Sequence, residues 1–215
     1  MIPRIFEGEP VVIVAGGPSL RDFDFGRLRG RRVIAINRAH EYIPGADVLW
    51  WTDAKYWRRA SASLMAHGAR WRATGNYEYQ VKELPREVSQ YLFTGATGFD
   101  ENPEHIRHGW NGAYAATHLA IHLGANRNGI AILGLDLRHD GTMPGQNFHP
   151  GYERPEPIPG ETMERWRQSF VTLAPVLEQK GIPVINGSEN SALEVWPRCS
   201  PEDALSRLDR MTVRL

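Results

Sequence analysis

Five short apolar runs, each ending in small or polar residues, constrain this chain more than any other feature. Val11–Ala15 (VVIVA) runs into Gly16-Gly17-Pro18-Ser19, and Val33–Ile36 (VIAI) into Asn37. Val48–Trp51 (VLWW) stops at Thr52-Asp53, Ile130–Leu133 (IAIL) at Gly134-Leu135-Asp136, and Pro183–Ile185 at Asn186-Gly187. Unbroken apolar runs, in contrast to alternating ones, mark strands covered on both faces, which is the pattern of a parallel sheet. Tyr91–Phe93 (YLF) is a weaker sixth candidate. Two helices are legible between them. In Asn111–Leu123 the small residues Ala113, Ala116, Thr117 and Ala120 form a stripe at helical spacing, closed by Gly124. In Glu161–Lys180 the residues Met163, Trp166, Phe170, Leu173 and Leu177 make one apolar face; Pro175 is expected to kink that helix or begin its second half. The expectation is a single α/β domain over residues 1–215, Rossmann-like, with a mostly parallel sheet and helices on both faces.

Charge narrows the partners. The 215 residues carry 25 Lys+Arg and 25 Asp+Glu, a formal charge of zero. Nucleic acid is disfavoured, because phosphate neutralisation supplies most of a nucleic-acid binder's affinity. With 41% hydrophobic residues and seven tryptophans a buried core is readily built, and disorder is excluded by composition. The tryptophans leave open both a packed core and an interface between copies of the chain. Cys199 is the only cysteine, so a disulfide framework is excluded, in keeping with a reducing compartment. No apolar run approaches the roughly 20 residues of a spanning helix, and MIPRIFEGEP lacks the apolar segment of a signal peptide. The expected location is cytoplasmic.

In an open parallel sheet, ligands bind outside the carboxyl ends of the strands, so the residues that end each run are the site candidates. Gly16-Gly17-Pro18-Ser19 would allow close approach of a phosphate, or would simply be a tight turn; it is neither G-x-G-x-x-G nor a Walker A loop. Asn37 could read a ribose or base edge, or cap its own turn. Thr52-Asp53 and Asp136 could bind a ribose hydroxyl or a metal, with an N-cap as the bland reading of each aspartate. Asp22-Phe23-Asp24 has the D-x-D spacing of metal-dependent transferases but falls in an expected surface turn, and is set aside. The long segment 138–160 is dense in Pro, Gly and His, and loops of that length are usually functional. It holds His139, Asp140 and His149, readable as a general base or, with Asp136, as a metal cluster. Phe148 and Tyr152 flank His149 and would shape a pocket around it. Arg27, Arg29, Arg31 and Arg32 form a basic run, either a solvated face or the place for an anionic acceptor.

Several segments, taken together and in order, resemble one superfamily. VVIVAGGPSL resembles the G-x-G-P-S-L opening of the lipooligosaccharide sialyltransferases, the motility-associated glycosyltransferases and the 6-hydroxymethylpterin pyrophosphokinases. AIN (35–37), NGAYAATHLAIHLGANRNGIAILGLDLR and IPVINGSENSALEVWPRCSPEDAL are similar to that group's second strand, its (S/N)-G…I-x-L-x-G-x-D block and its closing segment. The resemblance implies that Gly16, Gly17, Pro18, Ser19 and Asn37 hold the nucleotide of an activated donor, and that Asn111-Gly112 touches it. It implies a transfer that requires no metal, in which His149 deprotonates an acceptor hydroxyl. Tyr152 is expected to help stabilise the leaving phosphate. Thr52-Asp53 departs from the sialyltransferases toward the pyrophosphokinase side.

The resulting expectation is a glycosyltransferase taking a nucleotide-activated sugar, of cytidine monophosphate type, to a glycan or other hydroxyl acceptor. The alternative is magnesium-dependent pyrophosphoryl transfer from ATP to a small heterocycle, with Asp53 and Asp136 on the metal. A non-catalytic nucleotide-binding module is the third reading.

Overall fold

The computed structural model describes residues 2–76, 84–138, 147–149 and 158–213. Eight strands form one sheet: β1 (Val11–Val14), β2 (Arg32–Ile36), β3 (Val48–Trp51), β4 (Trp71–Asn76), β5 (Val88–Gly95), β6 (His105–Arg107), β7 (Ile130–Leu133) and β8 (Val184–Gly187). Their order is β6-β5-β4-β3-β2-β1-β7-β8, and every neighbouring pair is parallel. Four helices accompany them among the described residues: α1 (Ala54–Ala66), α2 (Gly112–His122), α3 (Gly160–Gln179) and α4 (Pro201–Val213). The fold is Rossmann-like α/β, and no described helix is long and apolar enough to cross a membrane.

Strand alternation sorts the apolar runs onto two buried layers. Val11, Ile13, Ile34, Ile36, Trp50, Ile130 and Ile132 face Leu119 and Ala120 of α2 and Phe170 and Leu173 of α3. Val12, Val14, Val33, Ala35, Leu49, Trp51 and Leu133 face Tyr56 and Leu64 of α1 and Leu205 and Leu208 of α4. The alanine stripe of α2 is what lets that helix lie close to the central strands; Ala115, Ala116 and Ala120 have no exposed surface. All five apolar runs are strands, and YLF lies inside β5.

β4 and β6 carry no such signal. In β4 (WRATGN) Thr74 and Asn76 find partners inside the fold: the Thr74 hydroxyl donates to Trp51 O at 2.8 Å, and Asn76 Nδ2 to Gln90 Oε1 at 2.8 Å. Gly75 leaves room for the ring of Phe93, which a Cβ would meet at 2.1 Å. β6 is three residues long at the sheet edge, with Ile106 alone fully buried. Pro175 does not end α3, which continues across it. The proline and Val171, the residue whose carbonyl loses its i+4 donor, are both exposed, so water can take that bond. α4 follows a start signal: the Ser200 hydroxyl accepts from Asp203 N–H at 3.1 Å, Pro201 occupies the first position, and Glu202 and Asp203 fill the first turn.

From β1 the chain winds outward in one direction to β6, then returns to place β7 and β8 on the other side of β1. The order reverses between β1 and β7, and the crevice above their carboxyl ends is where a doubly wound sheet takes its ligand.

Candidate functional site

At that crevice the residues after β1 and β7 interlock. Gly17 N–H donates to Gly134 O at 2.9 Å, and the Ser19 hydroxyl donates to Asp136 Oδ2 at 2.8 Å. A Cβ on Gly17 would stand 1.9 Å from Asp136 Oδ2 and 2.4 Å from Gly134 O. This contact, not room for a phosphate, accounts for that glycine. Asp136 also takes the Ser19 N–H, while the Leu20 N–H donates to Gly17 O at 3.3 Å. The donors of Gly17 and Ser19 thus already have partners within the protein. Burial lifts the Asp136 carboxyl above its ordinary range, and the Ser19 hydroxyl partly offsets the shift.

β8 supplies a support that sequence reading passed over. Ser188 and Ser191 are both buried. Ser188 Oγ accepts from Leu135 N–H at 2.8 Å and lies 3.1 Å from Ser19 Oγ, while the Ser191 hydroxyl donates to Leu135 O at 2.6 Å. Together they fix the segment after β7, where Leu137 adopts a left-handed backbone at φ 45°. The polar string Asn186-Gly187-Ser188-Glu189-Asn190-Ser191 after an apolar run was the available signal.

On the other side of β1, Asn37 is also left-handed, at φ 50°. Its Oδ1 is buried and has no hydrogen-bond partner among the described residues. His40 holds its backbone, with Nδ1 at 2.8 Å from Asn37 O; since a carbonyl only accepts, Nδ1 carries the proton. Against the end of β2 sits the start of α2. A Cβ on Gly112 would be 3.2 Å from Ile36 Cγ2, and Asn111 caps the helix by accepting from Ala113 N–H at 2.8 Å and Tyr114 N–H at 3.3 Å. The preceding Trp110 is left-handed too, at φ 53°. Three non-glycine residues in this sparsely allowed region thus gather at the carboxyl edge, the kind of local strain that functional sites concentrate.

His149 reaches the same place from the long segment. Phe148 N–H donates to Gly16 O at 2.9 Å, and His149 Nε2 lies 3.7 Å from where a Gly16 Cβ would be. His149 is buried. The structure therefore brings Gly16, Gly17, Pro18, Ser19, Asn37, Asn111, Gly112, Asp136 and His149 to one edge of the sheet. Tyr152, His139 and Asp140 lie outside the described residues.

Asp53 stands apart. It is exposed and caps α1, Oδ1 accepting from Lys55 N–H at 2.7 Å, while Thr52 beside it is half-buried. Two strands separate its strand end from that of Asp136, a distance of about 14 Å at ordinary strand spacing. That is too far for the two carboxylates to share one magnesium ion, whose ligands sit about 2.1 Å away. No group of three or more metal-ligating side chains occurs among the described residues. Asp24 caps its own turn, accepting from Gly26 N–H at 2.8 Å. Arg31 and Arg32 do not reach the site. They line a cleft of about 300 Å³ at the amino ends of β1 and β2, where Arg31 pairs with Asp209 and Arg32 with Asp47 and Glu9.

Neither protein-family models nor curated proteins give a match to this chain.

Proposed function

We propose that this chain is a glycosyltransferase that binds a nucleotide-activated sugar across the carboxyl ends of β2, β1 and β7 and passes the sugar to a hydroxyl acceptor. The observation that carries the reading is Asn37 Oδ1, a buried acceptor with no partner among the described residues, one strand from the sheet's switch point and next to the start of α2. An unsatisfied buried carbonyl costs about 1–3 kcal/mol. A base amine or ribose hydroxyl would satisfy it. The phosphate then lies at the positive end of α2, beside Gly112, where the helix dipole favours an anion although Asn111 Oδ1 already takes the Ala113 and Tyr114 N–H groups. Asp136 stands two strand spacings from Asn37, about 10 Å, and offers a carboxylate to a ribose hydroxyl. The cytidine monophosphate type follows from the resemblance of the sequence motifs. In the transfer, the acceptor oxygen attacks the sugar's anomeric carbon, its proton passes to His149, and the bond from that carbon to the phosphate breaks to release the nucleotide.

The wide separation of Asp53 and Asp136 favours this reading over the magnesium-dependent pyrophosphoryl transfer. Thermal shift with cytidine monophosphate (CMP), set against ATP plus Mg²⁺, tests it, since a ligand at 100 times its Kd stabilises by about 2.7 kcal/mol. The expected result is a rise in Tm with CMP that survives a chelator. His149→Ala is expected to keep that shift and lose turnover by about 10²–10⁴-fold. A shift with ATP–Mg²⁺ alone would favour the pyrophosphokinase reading. Nucleotide binding without turnover on any acceptor would favour the non-catalytic module.

A further inference from the structure

A wall of aromatic rings stands beside His149 and takes no part in the steps above. Phe25, Tyr42 and Phe148 form a triangle, with ring centroids 5.6 Å apart for Phe25–Tyr42, 5.1 Å for Phe25–Phe148 and 5.0 Å for Tyr42–Phe148. They come from three separate segments: the turn Phe25–Leu28 before β2, the residue after the turn Asn37–Glu41, and the stretch tied to Gly16. Phe25 and Phe148 rest on the core layer beneath α1 and α4 but stay partly exposed, and Tyr42 is 36% exposed. The ring of His149 lies 4.9 Å from that of Phe148 and 6.5 Å from that of Tyr42, tilted only 24° from the latter. At the edge of the wall Arg38 and Glu41 form a planar two-bonded pair, at 2.9 and 2.6 Å. Glu41 is close enough to feel a charge on His149 as well as that of Arg38.

Partly exposed rings that converge on the proposed base suit a substrate with one apolar face. The face of an aromatic ring is negative and attracts polarised C–H groups, such as those on the flat side of a pyranose. Hydroxyls at the rim of such a sugar suit a planar guanidinium–carboxylate pair, which offers donors and acceptors in one plane.

We infer that Phe25, Tyr42 and Phe148 form the acceptor subsite of the proposed transferase, and that the acceptor is a pyranoside laid on these rings with one hydroxyl toward His149. This rests on the transferase reading and adds the acceptor class to it. The rings belong to the acceptor and not to the donor base, because they adjoin the group that must take the acceptor's proton.

Initial rates with a CMP-sugar donor, with pyranosides set against a straight-chain polyol as acceptors, test the inference. Pyranosides are expected to be used and the polyol not. Tyr42→Ala is expected to raise the pyranoside KM at least tenfold while kcat falls less than threefold and the Kd for CMP stays within twofold. Tyr42→Phe keeps the ring and the wild-type KM. Tyr42→Leu, which keeps apolar bulk without a ring face, repeats the effect of Tyr42→Ala should the alanine variant fold poorly. An unchanged KM in both Tyr42→Ala and Tyr42→Leu, equal use of the polyol, or a weakened CMP Kd in place of a raised KM overturns the subsite. Failure of the wild-type chain to bind CMP removes the transferase reading itself, and the subsite with it.

Discussion

Ser19 and Asp136, 117 positions apart in the chain, are joined by a hydrogen bond of 2.8 Å from the Ser19 hydroxyl to the carboxylate. It closes the crevice floor between β1 and β7 and explains why two adjacent glycines have different duties. Gly17 lies under Asp136 Oδ2 and the Gly134 carbonyl, whereas the nearest atom to a Cβ on Gly16 is the end of a side chain, Asn147 Oδ1, at 2.9 Å. Gly17→Ala must move backbone and is expected to destabilise by about 3 kcal/mol, in the upper range for overpacking. Gly16→Ala displaces only the end of the Asn147 side chain and brings a methyl into contact with His149; it is expected to melt close to wild type and to lose transfer activity. Urea melts of both variants, with turnover measured on each, check the pair. Equal loss of stability in the two would contradict the assignment.

Asn37 separates stability from binding. Glycine adopts its left-handed backbone without strain, and removing Oδ1 removes a buried acceptor that has no partner among the described residues, against which glycine loosens the unfolded chain. Asn37→Gly is expected to lie within about 1 kcal/mol of wild type in stability and to bind CMP at least tenfold more weakly. Calorimetric titration beside a urea melt reads both. A large loss of stability with unchanged affinity would make Asn37 a structural residue only.

His118 governs acid stability. It is fully buried, its Nδ1 accepts from Arg107 N–H at 3.1 Å, and desolvation pulls its pKa from 6.5 down to about 3. Between those values the unfolded chain binds a proton that the folded chain refuses. Its contribution is fully present above pH 6.5 and is lost as pH falls toward 3, at up to about 1.4 kcal/mol per unit. Urea midpoints should therefore drop between pH 7 and 5, and the NMR signal of the His118 ring should stay unshifted until the protein unfolds. A ring that titrates near 6.5 in the folded protein would refute this.

Arg72 ties β4 to α1. Its guanidinium donates to Leu64 O at 2.8 Å, to Met65 O and Ala69 O at 3.3 Å, and to His67 O, collecting carbonyls at the end of the helix. Arg72→Met is expected to cost about 2–3 kcal/mol, since hydrogen bonds from a charged donor are lost and partly buried carbonyls are left bare. Arg72→Lys should recover less than half of that, because an ammonium cannot reproduce the fork. Thermal unfolding of the two variants measures the difference, and equal stability of Lys and wild type would argue against a role for the fork.

The same residue shows why part of the fold was hidden. A strand is legible when burial is achieved by apolar side chains, as in VVIVA, VIAI, VLWW, IAIL and PVI, and these runs named five of the strands, the parallel sheet and the polar residues that end each one. β4 is buried with its polar groups bonded to partners outside the strand, Thr74 to Trp51 of β3 and Arg72 to carbonyls at the end of α1, and no apolar periodicity within the strand records such partners. The site divides the same way. That Gly17, Ser19, Asn37 and Asp136 lie at one edge follows from strand-end position alone, whereas Asn111 was reached only through the resemblance of its segment. That Asp136 fills the turn over Gly17, that Asp53 stands about three strand spacings away, and that Tyr42 meets Phe25 and Phe148 beside His149 were decided by the strand order and by where the long segment crosses Gly16. Periodicity along a chain reports which side of an element is buried; which elements become neighbours depends on the topology that the whole core selects.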